Sequence, residues 1–247
     1  MKEGLTTAHA LKEKRIVVVG GTSGFGLATA QAAAAEGARV VVVSGNKENV
    51  DRALAALPKG SEGYTANISD EKQVSELFRA IGAFDHLVFT AGETLTTGEM
   101  NTIDFEKAKT FFDTRFWGSL MAARYASAYM RPGGSIVLTT GIAGRRPWKG
   151  WTVVAGLTGA IESLTRALAI ELAPIRVNAV CAGLVRTPLW NNIPAEQREA
   201  MYQQVAAQLP VGRIGEPEDL AQSFLYLMKQ PFSTGQVIVA DGGGVLV

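Results

Sequence analysis

The sequence predicts one doubly wound α/β domain, a mostly parallel sheet of about seven strands with helices on both faces. Three observations lead there. The chain has 247 residues, enough for one domain that buries a full core. Short apolar, β-branched runs alternate with helix-like stretches along its whole length. The first of these runs leads straight into a glycine-rich turn, Gly20-Gly21-Thr22-Ser23-Gly24-Phe25-Gly26, that opens a helix.

Taken in order, Ile16-Val17-Val18-Val19 is a buried strand. Leu27 to Glu36 is Ala-rich and stops at Gly37, as a helix closed by a C-terminal glycine does. Arg39 to Val43 is a second buried strand. Further strands fall near Gly63–Ala66, His86–Phe89, Ser135–Leu138, Ile175–Val180 and Gln236–Val239. Helical stretches near residues 70–80, 104–130, 152–172 and 217–229 separate them. The segment from Thr187 to Pro210 breaks the alternation. With Pro188, Trp190 and Pro194 it reads as a helical flap over a site. No linker, repeat or low-complexity stretch divides the chain, so residues 1–247 read as a single domain.

Composition narrows the function. Apolar residues make up 47% and charged residues 19%, so the chain folds rather than staying disordered. A net charge of +1 argues against nucleic acid or an anionic membrane as partner. The lone Cys181, with His9 and His86 as the only histidines, predicts neither a disulfide framework nor a metal site. Met1 to Arg15 is polar and the longest apolar runs are strand-sized. A cytoplasmic protein without an export signal or membrane span is expected.

The Gly20–Gly26 turn has a physical rationale. Glycine is needed where the chain turns tightly and where backbone approaches a pyrophosphate. The free amides at the helix start then attract the anion. Strand, turn and helix in this order point to a nucleotide.

Beyond this turn the sequence resembles the short-chain dehydrogenase/reductase family over about residues 12 to 244. Gly20, Gly24 and Gly26 match its Gly-x-x-x-Gly-x-Gly spacing. Asn67-Ile68 matches the place where the family holds adenine, and Ala91-Gly92 the end of its Asn-Asn-Ala-Gly. Ala182-Gly183-Leu184-Val185-Arg186-Thr187 resembles its Pro-Gly loop, where Val185 backbone and the Thr187 hydroxyl would hold the carboxamide of a nicotinamide. Pro217-Glu218-Asp219 and Thr234-Gly235 through Asp241-Gly242-Gly243 complete the pattern.

The resemblance implies a Rossmann-type domain and a nicotinamide cofactor. The second strand ends Val43-Ser44-Gly45-Asn46-Lys47, with no carboxylate for ribose hydroxyls. Ser44, Asn46 and Lys47 offer donors to a 2′-phosphate, so NADP(H) is expected ahead of NAD(H).

The resemblance also implies a Ser, a Tyr, a Lys and a helical Asn as the proton-transfer groups. Aligned on Glu162-Ser163-Leu164-Thr165, the Tyr and Lys places hold Val154 and Thr158. The Ser place holds Gly141 and the Asn place Arg115. Substitutes for the lost chemistry are Thr140, Arg115 and Glu93. Thr140 would either hydrogen-bond a substrate oxygen or satisfy backbone. Arg115 would pair with Glu93 or hold a substrate carboxylate. Trp148 and Trp151 would wall an apolar pocket or pack their loop.

Two functions are open on this reading. One is an NADP(H)-dependent oxidoreductase with an atypical site, acting on a small apolar or activated substrate. The other is a catalytically silent nucleotide-binding protein. Small residues at Gly118, Ala122, Ala123 and Ala126, and at Ala155, Gly156, Gly159 and Ala160, permit close helix approach, and the resemblance implies that these two helices pair copies of the chain in a homotetramer or homodimer.

Overall fold

The structure is a computed structural model that describes residues 11–247. His9 and most of the polar leading segment lie outside the described residues. Strands β1 (Arg15–Val19), β2 (Arg39–Ser44), β3 (Glu62–Thr65), β4 (Phe84–Phe89), β5 (Met130–Gly141), β6 (Arg176–Ala182) and β7 (Val237–Ala240) form one seven-stranded sheet. Every pairing is parallel, in the order β3-β2-β1-β4-β5-β6-β7. The chain winds one way from β1 to β3 and the other from β4 to β7. The crevice between the carboxyl ends of β1 and β4 is therefore the switch point at which such sheets bind ligands.

β1 shows why an unbroken apolar run belongs inside. Val17 and Val19 face one core while Ile16 and Val18 face another. The helices are α1 (Gly24–Ala35), α2 (Lys47–Ala55), α3 (Glu71–Ile81), α4 (Phe105–Phe112), α5 (Gly118–Ser127), α6 (Thr152–Glu171), α7 (Ala195–Gln208) and α8 (Pro217–Lys229). Residues of α3, α5 and α6 join Val17 and Val19, and those of α1, α2 and α8 join Ile16 and Val18. The sheet is thus covered on both faces, as the apolar runs Ile16–Val19 in β1 and Val40–Val43 in β2 require.

Several elements depart from expectation. The stretch near 104–130 is two helices joined by a π-helical turn, Asp113–Trp117. Such turns are rare and frequently mark functional sites; this one carries Arg115. Helix α2 is an addition to the expected elements and is held by the Asn46 side chain accepting from the Asn49 amide. Gly118, Ala122, Ala123 and Ala126 are buried, the three alanines in the protein's own core, so on α5 small size serves packing within the chain. On α6 the picture differs: a Cβ at Gly156 or Gly159 would meet no neighbouring atom within 4 Å. Helix α6 is 20 residues long and apolar enough by composition to cross a membrane. Here it buries Val154, Leu157, Ile161 and Leu168 against the domain.

Candidate functional site

Two cavities meet at the carboxyl edge of the sheet. The first, of about 500 Å³, runs along the glycine turn and the ends of β1, β2 and β4. Its shape follows from missing side chains. A Cβ at Gly20 would lie 2.5 Å from the Ala91 amide nitrogen, and one at Gly26 would overlap the Gly20 carbonyl. Gly24 sits at φ +50°, a backbone state that favours glycine. Helices α2, α3 and α4 start on side-chain caps from Asn46, Asp70 and Asp104. Helix α1 does not: Ser23 makes no side-chain cap bond, and the first turn holds no acid. Open amides at an uncapped helix start fit a phosphate. This donor set suits the pyrophosphate of a dinucleotide.

Most of the expected cofactor residues line this cleft: Gly20, Thr22, Ser23, Gly24, Phe25, Gly26, Ser44, Asn67, Ile68, Ala91, Gly92 and Thr187. Gly183 and Val185 line the second cavity instead. Asn46 and Lys47 line neither. Asn46 caps α2, and Lys47 pairs with Asp51 at 2.8 Å on the exposed helix face. Gly45 and Asn49 do border the cleft. Asn49 is an addition to the expected residues: the Asn46 cap starts α2 and sets Asn49, three residues on, at the border of the cleft.

The second cavity, of about 450 Å³, lies between β5, β6, the start of α6 and the segment around α7. Trp148, Trp151 and Trp190 are on its walls, with Trp148 and Trp151 edge to face at 5.0 Å. Trp190 is pinned by its indole N–H to the Val185 carbonyl at 3.1 Å. Phe25, Arg115, Thr187 and Leu189 line both cavities and form their junction.

Arg115 is held in an unusual way. It does not form the expected side-chain pair with Glu93. Its guanidinium donates to the Glu93 main-chain carbonyl, while the Glu93 carboxylate accepts from the Thr114 hydroxyl. The guanidinium also sits 4.9 Å over the Phe111 ring. The Arg115 Nε is buried without a hydrogen-bond partner among the described residues. Gly92 makes room for it, because a Cβ there would overlap the guanidinium. Burial pulls the Arg115 pKa down to about 10 and nearby Glu93 offsets part of that, so the group stays charged at neutral pH.

Comparison with known proteins decides the family. Residues 19–244 match the family model described as enoyl-(acyl carrier protein) reductase. The short-chain dehydrogenase/reductase ATR9 of Stachybotrys chlorohalonatus is 37% identical, covering 96% of this chain and 98% of its own. A crystal structure of a small-chain dehydrogenase in complex with NADPH is 37% identical, with a TM-score of 0.82, covering 96% of this chain and all of that one. The structure of the MalC reductase/Diels-Alderase from Malbranchea aurantiaca is 29% identical, with a TM-score of 0.90, covering 98% and 100%. The chain belongs to the short-chain dehydrogenase/reductase family.

Within this short-chain dehydrogenase/reductase fold, the places that sequence resemblance gives to proton-transfer groups fall on the second cavity. Gly141, Val154 and Thr158 all line it. Val154 is packed with Phe111, Ala143 and Leu157. The Thr158 hydroxyl donates to its own helix, at 3.0 Å to the Val154 carbonyl. Thr140 uses its hydroxyl proton on the Thr158 carbonyl at 2.9 Å, so it has no donor left for a substrate oxygen. Among the described residues, the ionisable side chains on this cavity are Arg115, Arg146 and Asp241. Cys181, behind it, is buried, which pushes its thiol up to about 12 and keeps it inert.

Proposed function

We propose that this chain is an NADP(H)-dependent oxidoreductase with an atypical active site, reducing an activated small molecule without a tyrosine acid. The observation that carries this reading is the junction. A dinucleotide-shaped cleft opens onto an apolar cavity, and among the described residues Arg115 is the one ionisable side chain that borders both. When bound, the nicotinamide supplies a hydride. The tryptophan walls exclude water and position an apolar substrate, and Arg115 offers a fixed positive charge beside the reacting atoms. Glu93 sets the position of Arg115 through its carbonyl, and Thr140 serves as a brace between β5 and α6.

Losing general acid–base catalysis costs roughly 10²–10⁴-fold in rate. Substrates whose reduced form needs no immediate proton escape that cost. An iminium ion yields a neutral amine, and a vinylogous acceptor yields a delocalised anion that water protonates. A simple ketone yields an alkoxide, which is costly without a donor. For the cofactor, Ser44, Asn46 and Lys47 and the lack of a carboxylate after β2 favour the 2′-phosphate. The NADPH complex of the 37% identical small-chain dehydrogenase supports the same choice. The open face of α6 at Gly156 and Gly159 suits a second copy in a homotetramer or homodimer, and a cytoplasmic location accompanies this reading.

The test has two stages. Titration calorimetry with NADPH and NADH comes first, followed by NADPH oxidation across imines, enones and ketones. Tighter NADPH binding with turnover confined to activated acceptors supports the proposal. Bound NADPH with no oxidation anywhere in the panel would leave a silent nucleotide-binding protein instead.

A further inference from the structure

The second cavity combines features that an unspecialised apolar pocket lacks. Three of the chain's four tryptophans are on its walls. Flat indole faces favour flat, π-rich ligands. A volume of about 450 Å³ falls within the range, roughly 300–1,000 Å³, of sites that enclose small organic molecules.

The charges in this cavity do not balance. Arg115 lies at the inner junction. One of its nitrogens is held by the Glu93 carbonyl, its Nε is buried and unpartnered, and no carboxylate of the described residues pairs with it. Arg146 lies at the outer side, exposed, with no ion-pair partner among the described residues. Asp241 is the remaining ionisable side chain on this cavity, which Val247 also lines. The Asp241 carboxylate is turned into its own loop, accepting from the Gly243 and Val245 amides at 2.8 Å each. Glu93 offsets the Arg115 charge only in part, because its carboxylate is engaged by Thr114 and borders the first cavity rather than this one; a half-buried cation so placed is costly unless something anionic completes it. Anchoring a cation in such a place needs a compensating purpose.

We infer that the second cavity binds a flat aromatic molecule that carries a carboxylate or an equivalent delocalised oxyanion, with the oxyanion held at Arg115. This rests on the oxidoreductase reading and sharpens it. Of the acceptors open to that chemistry, the cavity selects the oxygen-bearing, vinylogous kind over the iminium ion. An iminium or ammonium group would meet two guanidinium charges, while an oxyanion meets donors. The tryptophan walls hold the ring system, Arg115 fixes which end points to the junction, and Arg146 draws anions to the mouth.

Binding can be read without turnover, because the same tryptophans report on the cavity. The probes are 2-naphthoate, 2-naphthamide and 2-naphthylmethylamine, titrated against the intact protein with and without NADP⁺, with quenching of tryptophan fluorescence as signal. The expected order is naphthoate tightest, the amide weaker and the amine weakest. R115M should weaken naphthoate roughly 10–100-fold, the size of a lost charge-assisted bond, and barely change the amide. R115K should recover part of the loss. Gly92→Ala should lower naphthoate affinity while keeping the charge, because the new methyl displaces the guanidinium. R146M, on the surface and safe for folding, should slow naphthoate association and cost a few-fold in affinity. Amine binding equal to or tighter than naphthoate would overturn the inference. So would naphthoate binding unmoved by R115M, R115K and R146M together. A loss of NADP⁺ affinity in R115M with naphthoate unaffected would reassign Arg115 to the cofactor. Because probe binding is scored separately from NADPH oxidation, failure of this inference is distinct from failure of the oxidoreductase reading.

Discussion

The Thr140 hydroxyl donates to the main-chain carbonyl of Thr158 at 2.9 Å and so ties the end of β5 to the second turn of α6. Both residues are buried. The Thr158 hydroxyl turns back onto α6, to the carbonyls of Val154 and Ala155. Where sequence resemblance places proton-transfer groups, the polar atoms of these two threonines are thus spent on backbone.

That bond makes Thr140 a brace. Thr140→Val should lower stability by about 0.5–1.5 kcal/mol, the net worth of one hydrogen bond. NADPH oxidation should be little changed. Urea unfolding beside steady-state kinetics checks this, and a rate loss above tenfold with unchanged stability would restore a catalytic part for Thr140.

Ketone chemistry should be installable. A Cβ at Gly141 would meet only ordinary contacts, 3.6 Å to the Ala182 carbonyl and to Thr158 Cγ2, so Gly141→Ser fits. Val154 is 3% exposed and tightly packed, so Val154→Tyr brings overpacking of about 1–3 kcal/mol. The triple variant with Thr158→Lys should show weak NADPH-dependent ketone reduction. Val154→Tyr alone should show less, because its phenol keeps a pKa near ~10 without the lysine. Product analysis by mass spectrometry decides it. Efficient ketone reduction by the unaltered chain would show that the proton argument is wrong.

For the cofactor, Lys47 is the decisive residue. Its exposed pair with Asp51 is worth about 0.3–0.5 kcal/mol. A charge-assisted bond to a 2′-phosphate is worth about 1.5–3 kcal/mol, so the lysine should leave Asp51 for the phosphate. Lys47→Ala should weaken NADPH by roughly tenfold and leave NADH nearly unchanged, as read by calorimetry. Gly24→Asp should abolish binding of both. It sets a side chain at a φ of +50°, within 3.3 Å of Thr187 Cγ2, and a negative charge against the pyrophosphate.

His86 gives the fold a pH dependence. Burial, helped by the charge of Arg176, lowers its pKa from 6.5 to about 4. The unfolded chain therefore takes up a proton below pH 6.5 that the folded chain refuses until about pH 4. Stability from the neutral ring is complete above the upper value and drains away as pH falls to the lower one, by up to roughly 3 kcal/mol. His86→Gln should flatten that slope, so the two proteins converge in stability on acidification. Urea unfolding at neutral pH and again midway through this window measures it. Parallel curves would remove His86 from the account.

The sheet was legible in the chain because β-branched apolar runs such as Ile16–Val19 have one stable fate, burial on both faces. The glycine turn was legible for a similar reason: Gly20 and Gly26 stand where no Cβ fits. The ordered loops from Asn67 to Asp241 carried the family resemblance. Other features depend on contacts that no local pattern encodes. The π-helical turn that carries Arg115 breaks an otherwise continuous helical stretch. The Arg115 guanidinium is held by a carbonyl 22 positions away rather than by the Glu93 carboxylate. Helix α2 is short, with Val50, Ala53 and Leu54 set against the core, and the Asn46 side-chain cap that starts it is visible only in the folded chain. The aromatic cavity joins Trp148, Trp151 and Trp190 across some forty residues of chain. Sequence determined which backbone would hold a nucleotide, because that demand falls on single residues. The tertiary structure decided what stands beside the nucleotide, because the charge and shape of a cavity belong to side chains that meet only after folding.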